Sequence, residues 1–504
     1  MYVRAGLVSL GLLLLSRLLG LLRESTQAAA FGATGLGDAV IVMFTLPDLL
    51  VGIVVSGGLS YVLLPVWAKQ SPEDVVRSQK RVAGGILIAS FLLALLVWST
   101  RGAVSHALAP GLQADMKALG ASSLAWSAAV LPMAMLAALW TTRLQHERDF
   151  VGMYAASLLV NLLLVAALAI VALYGPAASD NSNSVAVLGF FLVLAMLARL
   201  AWLYWRLPKK VAGLKALPCT SAVSLPQTTV WLWAAMSSGL LLLLPIVARS
   251  LASQSGEGAL AHFNYAWKLV ELPLVLAIQL VASLAFPAIA RTPSGSPARI
   301  QALRLAFMLA WSLACAAIAV VGGFSLSLAK LLFGWGQMGA ADLLVIAQWS
   351  AAGVWSLLPQ ALIAVVLTVM AISQQMHMAV LAYAAGIAAL MAAGWWGASD
   401  GFATGLAVMW ALDMVLAGVA VVLVCSQWRS LRDGVPLLPM LAPLGTCIAL
   451  AMTQPLLPAW GLAGSAGLAA LFALLVMASA VAASPQMRQF LTGRRTTIAT
   501  AAID

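Results

Sequence analysis

Apolar residues in this chain do not recur at a helical or strand period. They run almost unbroken for about 20 residues at a time, the length that crosses a bilayer as a helix. Such runs are placed near residues 6–28, 37–67, 83–108, 121–142, 153–174, 185–205, 229–251, 260–289, 303–324, 343–371, 377–396, 402–425, 436–457 and 462–483, fourteen in all. The connections are short, and 397–401 and 458–461 are the weakest separations. A transmembrane barrel would show short alternating segments instead. The pattern predicts an all-α polytopic membrane protein of about 14 transmembrane helices.

Composition removes the soluble alternative. Hydrophobic residues make up 63% of the 504 residues and charged residues 9%, against about 25% charged in soluble domains. The net charge of +11 would suggest nucleic acid on a soluble chain. Here it reads as topology. With the N-terminus inside, 19 lysines and arginines fall in cytoplasmic segments and 4 in outer ones. That bias predicts an even number of spans and both termini in the cytoplasm. The first run lacks a cleavage pattern and holds Arg17 and Arg23, so it reads as a true span and not a signal peptide. Cys219, Cys315, Cys425 and Cys447 form no CxxC pair, and the four histidines lack ligand spacing. Neither a metal nor another cofactor is expected.

Leu-Pro pairs mark an internal repeat. Leu46-Pro47 and Leu272-Pro273 lie 226 residues apart, and Leu131-Pro132 and Leu358-Pro359 lie 227 apart. Pro65 and Pro287 add an offset of 222. This predicts an N-terminal lobe over 1–208 (spans 1–6), a cytoplasmic linker over 209–228 and a C-terminal lobe over 229–428 (spans 7–12). Residues 429–504 hold spans 13 and 14 and a cytoplasmic tail. Lobes of six spans enter the membrane in the same sense, a common transporter plan.

Ionisable groups within spans are costly and mark function. Arg17 is placed about 16 Å into span 1, near mid-bilayer. Arg17, Gly20 and Glu24 share one helical face, and Arg23 flanks it. Arg17 either lines a water-filled cavity or pairs internally with Glu24. Lys268 and Glu271 share a face of span 8, and either pair locally or face the same cavity. Asp38 is placed at the outer mouth of span 2. Asp48, beside Pro47, either serves a site or satisfies backbone donors freed by the proline. Asp413 is a lone acid in span 12, a candidate ion relay or an interhelical hydrogen-bonding residue. Arg199 is expected to snorkel to the cytoplasmic end of span 6. Gly20, Pro47 and Pro273 are candidate hinge or kink positions. The tryptophans near span ends, Trp67 and Trp126 among them, read as an interfacial belt. No phosphate-cradling Gly-rich loop and no catalytic constellation is present, so no enzyme is expected.

Ser16 to Glu24, followed by Phe31-Gly32-Ala33, Asp38-Ala39, Phe44, Leu46-Pro47, Gly58 and Pro65, resembles the start of the MurJ (MviN) family. These are lipid II flippases of the superfamily that also holds multidrug and polysaccharide exporters. Tyr265-Ala266-Trp267-Lys268 with Glu271 and Pro273, and Leu332 to Gln337 with Asp342, resemble it too. The resemblance implies a central cationic cavity lined by Arg17, Arg23, Asp38 and Lys268, with Glu24 and Glu271 beside them. It implies a groove for a polyprenyl tail on spans 13 and 14. Val51, Gly52 and Ser56 stand where the family usually carries two arginines and an acid, and Lys268 replaces an arginine.

The expected function is a flippase moving an undecaprenyl-pyrophosphate-linked peptidoglycan precursor, lipid II, across the bacterial inner membrane by alternating access. The expected partners are that lipid-linked saccharide pyrophosphate and membrane lipids, with no nucleic acid and the monomer as working unit. The alternatives are a flippase for an exopolysaccharide or O-antigen repeat unit and a cation-coupled drug exporter. A membrane glycosyltransferase would want a larger outer loop bearing acids or a catalytic histidine.

Overall fold

Helices begin where the sequence supplies caps. The computed structural model describes residues 2–53, 59–174, 181–207, 227–279, 281, 285–286, 289–290, 292–293, 295–373, 375–397, 405–454 and 461–492. Ser71-Pro72, Ser296-Pro297 and Ser484-Pro485 each open a helix in the same way. The proline holds the preceding serine out of the helical region and fits the first helical position, where no amide partner is needed. The serine hydroxyl accepts from the amide three residues on, as an N-cap does. Ser71 and Ser296 lie 225 residues apart, close to the spacing of the Leu-Pro markers.

The described residues contain helices and no strands. The main ones are α1 (Tyr2–Phe31), α2 (Gly35–Ile53), α3 (Leu59–Trp67), α4 (Pro72–Ser99), α5 (Arg101–Leu108), α6 (Ala114–His146), α7 (Phe150–Tyr174), α8 (Asn181–Arg206), α9 (Thr228–Ala252) and α10 (Ala259–Pro273). After a π-helical turn over Leu274–Ile278 come α11 (Pro297–Phe333), α12 (Ala340–Gly353), α13 (Leu357–Ile372), α14 (Met376–Gly397), α15 (Gly405–Ser426), α16 (Leu437–Thr453), α17 (Leu462–Ala483) and α18 (Pro485–Leu491). Among the described residues, ten helical segments are long and apolar enough to cross a membrane, and α9, bent near Ser237, makes an eleventh. The three remaining expected spans fall on α1, α10 and the 17-residue α16.

The chain divides into two units, Met1–Ala261 with Trp335–Met338, and His262–Gly334 with Gly339–Asp504. In the first, α1 packs along α7, α2 along α6, and α6 against α4 and α8. Its core joins Phe31, Met43 and Phe44 to Val130, Leu164 and Leu188. In the second, the 37-residue α11 is the central post, contacted by α12, α13, α16 and α17. A non-helical Phe324 kinks that post just after Gly322-Gly323. Outward faces are apolar. Ile88, Phe91, Leu92 and Leu95 on α4 are exposed at helical spacing, the inverse of a soluble amphipathic helix. Such a stripe suits hydrocarbon and not water.

Local structure also departs from expectation. Arg148 takes φ 58°, a left-handed position that usually selects glycine. It closes a Schellman turn on α6, with Asp149 N donating to Leu144 O at 2.9 Å and Arg148 N to Gln145 O at 3.1 Å. Trp67 leaves the expected belt: it is fully buried and its indole donates to Ser78 at 2.8 Å. Trp126 lies against Gly189 on α8, where a Cβ would meet its ring at 2.2 Å.

Asp149 ties the α6–α7 turn to α8. It accepts from Arg206 Nε at 2.9 Å and Nη2 at 2.7 Å, and from the Gly152 amide at 2.9 Å. Burial pushes its carboxyl up, but the Arg206 fork and the amide outweigh that and hold it below the usual carboxylate range. A depressed acid stabilises the fold above its unfolded pKa of about 3.9 and loses that contribution as pH falls through the folded value. Asp149→Asn is therefore expected to cost about 1 kcal/mol at pH 7, the range for a partly exposed pair. In detergent melts the gap between variant and parent should close as pH falls below about 4.

Candidate functional site

Two clusters of functional side chains form within the first unit. The first surrounds Arg23 on α1. Its Nη2 donates to Glu24 at 2.9 Å and to Asp48 at 3.2 Å, and its guanidinium lies 5.5 Å from the centre of the Phe44 ring. Arg23 and Glu24 are 12% and 7% exposed, whereas Asp48 is 58% exposed. A fork donor buried in an apolar span is held by this charge-assisted bonding and by the ring face. Arg23 Nε is buried without a hydrogen-bond partner among the described residues. Asp48 also acts electrostatically on Arg199 of α8. The sequence predicts that Arg199 snorkels; instead it is 7% exposed, turned into the helix packing.

Glu24 thus pairs with its neighbour and not with Arg17. Arg17 is exposed, with no ion pair among the described residues. Gly20 sits in an unbroken stretch of α1, with its Cα face 3.8 Å from Asn161 on α7 as measured from an added Cβ. Pro47 is accommodated inside α2, which continues to Ile53. Asp48 reaches across to α1, and among the described residues no hydrogen bond joins its side chain to the backbone around Pro47.

The second cluster joins the N-termini of α2 and α10. Asp38 is buried, accepting from the Gly258 amide at 3.1 Å and the Ala261 amide at 2.8 Å. Glu257 returns the arrangement, accepting from the Gly35 amide at 3.2 Å and from Gln113 at 3.0 Å. Each helix start is thus capped by an acid from the other, and negative charge suits a helix N-terminus. Backbone approaches backbone here. Gly258 has φ +72°, and a Cβ on it would lie 2.0 Å from Ala33 O. Gly336 has φ +62°, and a Cβ would lie 2.2 Å from Ala29 O. Beside it, Gln337 N donates to Ala29 O at 2.9 Å, satisfying a carbonyl in the last turn of α1. Sequence reading missed Glu257, whose partners lie 222 and 144 residues away.

Arg249 lies near the end of α9, where the basic-residue count places it in an outer segment. On α9 it instead turns to α2, donating from Nη2 to Thr45 at 2.6 Å. Of the uncharged positions on α2, Val51 packs beside the hydrophobic core. Gly52 faces α9, where a Cβ would meet Leu242 at 2.8 Å. Ser56 lies outside the described residues, as do Pro287 and Cys219.

In the second unit, Lys268 donates to Glu271 at 2.8 Å, one turn along α10. Both are about a third exposed. Pro273 closes α10, and the π-helical turn follows it, as expected where proline removes an amide donor. His262 contacts Asp342 at 3.0 Å and packs edge-on to Trp349; 80 residues separate the pair, so no local pattern announces it. Asp413 on α15 is 5% exposed, and neither carboxyl oxygen has a hydrogen-bond partner among the described residues.

Residues 27–371 match the family described as Lipid II flippase MurJ. A lipid II flippase MurJ from Burkholderia cenocepacia is 27% identical over 376 residues, covering 68% of this chain and 68% of that protein. A probable lipid II flippase MurJ from Rhizobium meliloti is 26% identical over 357 residues, covering 66% of this chain and 63% of that protein. Among solved structures, a lipid II flippase MurJ in an inward closed conformation superposes with a TM-score of 0.76 at 14% identity. That match covers 96% of this chain and 100% of that one. An inward-facing multidrug resistance MATE family transporter of the MOP superfamily gives 0.63 at 14% identity, covering 83% and 94%. At these identities the superpositions establish the fold. The sequence match over well over half of the chain establishes the kinship: this multi-pass membrane protein belongs to the MurJ lipid II flippase family.

Proposed function

We propose that this chain translocates undecaprenyl-pyrophosphate-linked peptidoglycan precursor, lipid II, across the bacterial inner membrane by alternating access. The observation that carries the reading beyond kinship is Arg23. A guanidinium buried in an apolar span, with Nε unspent, is a costly feature that suits an anionic headgroup. Arg17, exposed six residues earlier, adds a cation on α1, and Glu24 and Asp48 hold Arg23 in place. Lys268 is the candidate phosphate-binding cation of the second unit, oriented by Glu271. Lys268→Ala is expected to lower transport by about tenfold or less, because an exposed point charge contributes less than a buried fork. Initial transport rates check this.

The full topology belongs to the same reading: fourteen spans, two lobes of six, and both termini in the cytoplasm. In that topology the reciprocal capping by Asp38 and Glu257 lies at the outer ends of α2 and α10. Spans 13 and 14 take the polyprenyl tail, and the protein acts as a monomer with no catalytic step of its own. Asp413 is the candidate ion relay, since a buried carboxyl without donors binds a proton or a cation readily. Asp413→Asn, which mimics the neutral acid, is expected to remove any dependence of transport on an imposed ion gradient while preserving abundance. Vesicle assays with and without a gradient measure it.

Val51 and Gly52 favour a second reading, in which the cargo carries a neutral exopolysaccharide or O-antigen glycan on the same pyrophosphate. Complementation separates the two. Cells depleted of their own lipid II flippase should regain growth with the unaltered chain if lipid II is the cargo. No rescue by a well-accumulated chain would favour the neutral glycan.

A further inference from the structure

Gly52 and Gly239 mark where α9 packs closely against the end of α2. An added Cβ at Gly52 would meet Leu242 at 2.8 Å, and one at Gly239 would meet Ile53 at 3.2 Å. A side chain at position 52 would therefore have to move the Leu242 side chain of α9 aside. The same helix returns a base from its other end. Arg249, three residues before the end of α9, hydrogen-bonds Thr45 at 2.6 Å. Its partner is itself anchored, Thr45 Oγ1 donating to Ile41 O at 2.7 Å.

Arg23 approaches the same turn of α2 from α1, stacking 5.5 Å from the Phe44 ring and pairing with Asp48 at 3.2 Å. Two guanidiniums thus arrive on consecutive residues, Phe44 and Thr45, from two different helices. Neighbouring residues on a helix point about 100° apart, so the two forks meet this turn on adjacent faces. A guanidinium fork makes a bidentate contact with one phosphoryl group. A pyrophosphate has two phosphoryl groups and engages two. Arg23 is already shared between Glu24 and Asp48, so a doubly charged headgroup there needs a further cation.

We propose that Arg249 is the second guanidinium of the headgroup site in the first unit and specifies a pyrophosphate over a monophosphate. This rests on the lipid-pyrophosphate reading above. Arg249 takes the place of the bases that resemblance to the family would put at Val51 and Gly52. Thr45 is a positioning residue that aims it.

The test is equilibrium binding of farnesyl pyrophosphate and farnesyl monophosphate to the purified full chain in detergent. The unaltered chain should prefer the pyrophosphate by about tenfold or more, the worth of one charge-assisted contact set. Arg249→Ala should erase most of that preference, weakening pyrophosphate binding by several-fold more than monophosphate binding. Arg249→Lys should keep part of it, because charge survives and the fork does not. Thr45→Val should weaken it less than Arg249→Ala. Equal preference in the unaltered chain and in Arg249→Ala would overturn the inference and leave the headgroup reading standing. Failure of the unaltered chain to bind either lipid would overturn both. If Arg249→Ala does not elute as a monodisperse species, Arg249→Lys and Thr45→Val decide, and unchanged preference in both overturns the proposal.

Discussion

Replacing Arg23 by alanine is expected to abolish transport and to lower the amount of folded protein. Glu24, 7% exposed, would lose the cation that compensates its burial. Breaking one partner from a buried pair costs about 3–5 kcal/mol, and the exposed Asp48 places the loss near the lower end. Transport and folding effects then need separating. Arg23→Lys keeps the charge beside Glu24 and loses the planar fork. It should restore abundance on an immunoblot and still leave the depleted cells unable to grow. Growth at normal rate with Arg23→Lys would show that charge alone suffices and that fork geometry plays no part.

The Asp38–Glu257 junction carries the second large effect. Asp38→Ala strands the Gly258 and Ala261 amides. Loss of an N-cap costs about 1–2 kcal/mol, and burial adds to that because the stranded donors are not rehydrated. Asp38→Asn keeps an acceptor oxygen and should lose about half as much. Glu257→Ala strands Gly35 and Gln113 in the same way. Because each acid secures the helix start that carries or adjoins the other, the double variant should lose less than the sum of the single losses. Melting of the four proteins in one detergent measures this. Strict additivity would show that the two caps act independently.

The hydrophobic runs located the helices because a chain with so few charges has one solvent available to it. The costly residues were equally plain: Arg23, Asp38, Lys268 and Asp413 stand out in apolar surroundings, and the structure pairs Lys268 with Glu271 one turn on. What the sequence could not display was who meets whom across helices. Arg199 and Arg249 both sit near span ends, where snorkelling to water is the ordinary outcome. Only the packing of α8 and α9 against α2 turns them inward. Glu257 lies in a short connection that looks inert until its partners at Gly35 and Gln113 are brought beside it. The turn after α6 was hidden for a different reason. Arg148 occupies a left-handed position without the glycine that announces one.

The most direct measurement uses the purified chain in sealed vesicles containing lipid II on the inner leaflet, with an impermeant headgroup reagent added outside. Vesicles with the unaltered chain should expose lipid II well above the protein-free rate. Vesicles with well-folded Arg23→Lys should stay near that rate. Exposure at the protein-free rate by the unaltered chain, or undiminished exposure by Arg23→Lys, would contradict lipid II translocation through the Arg23 site.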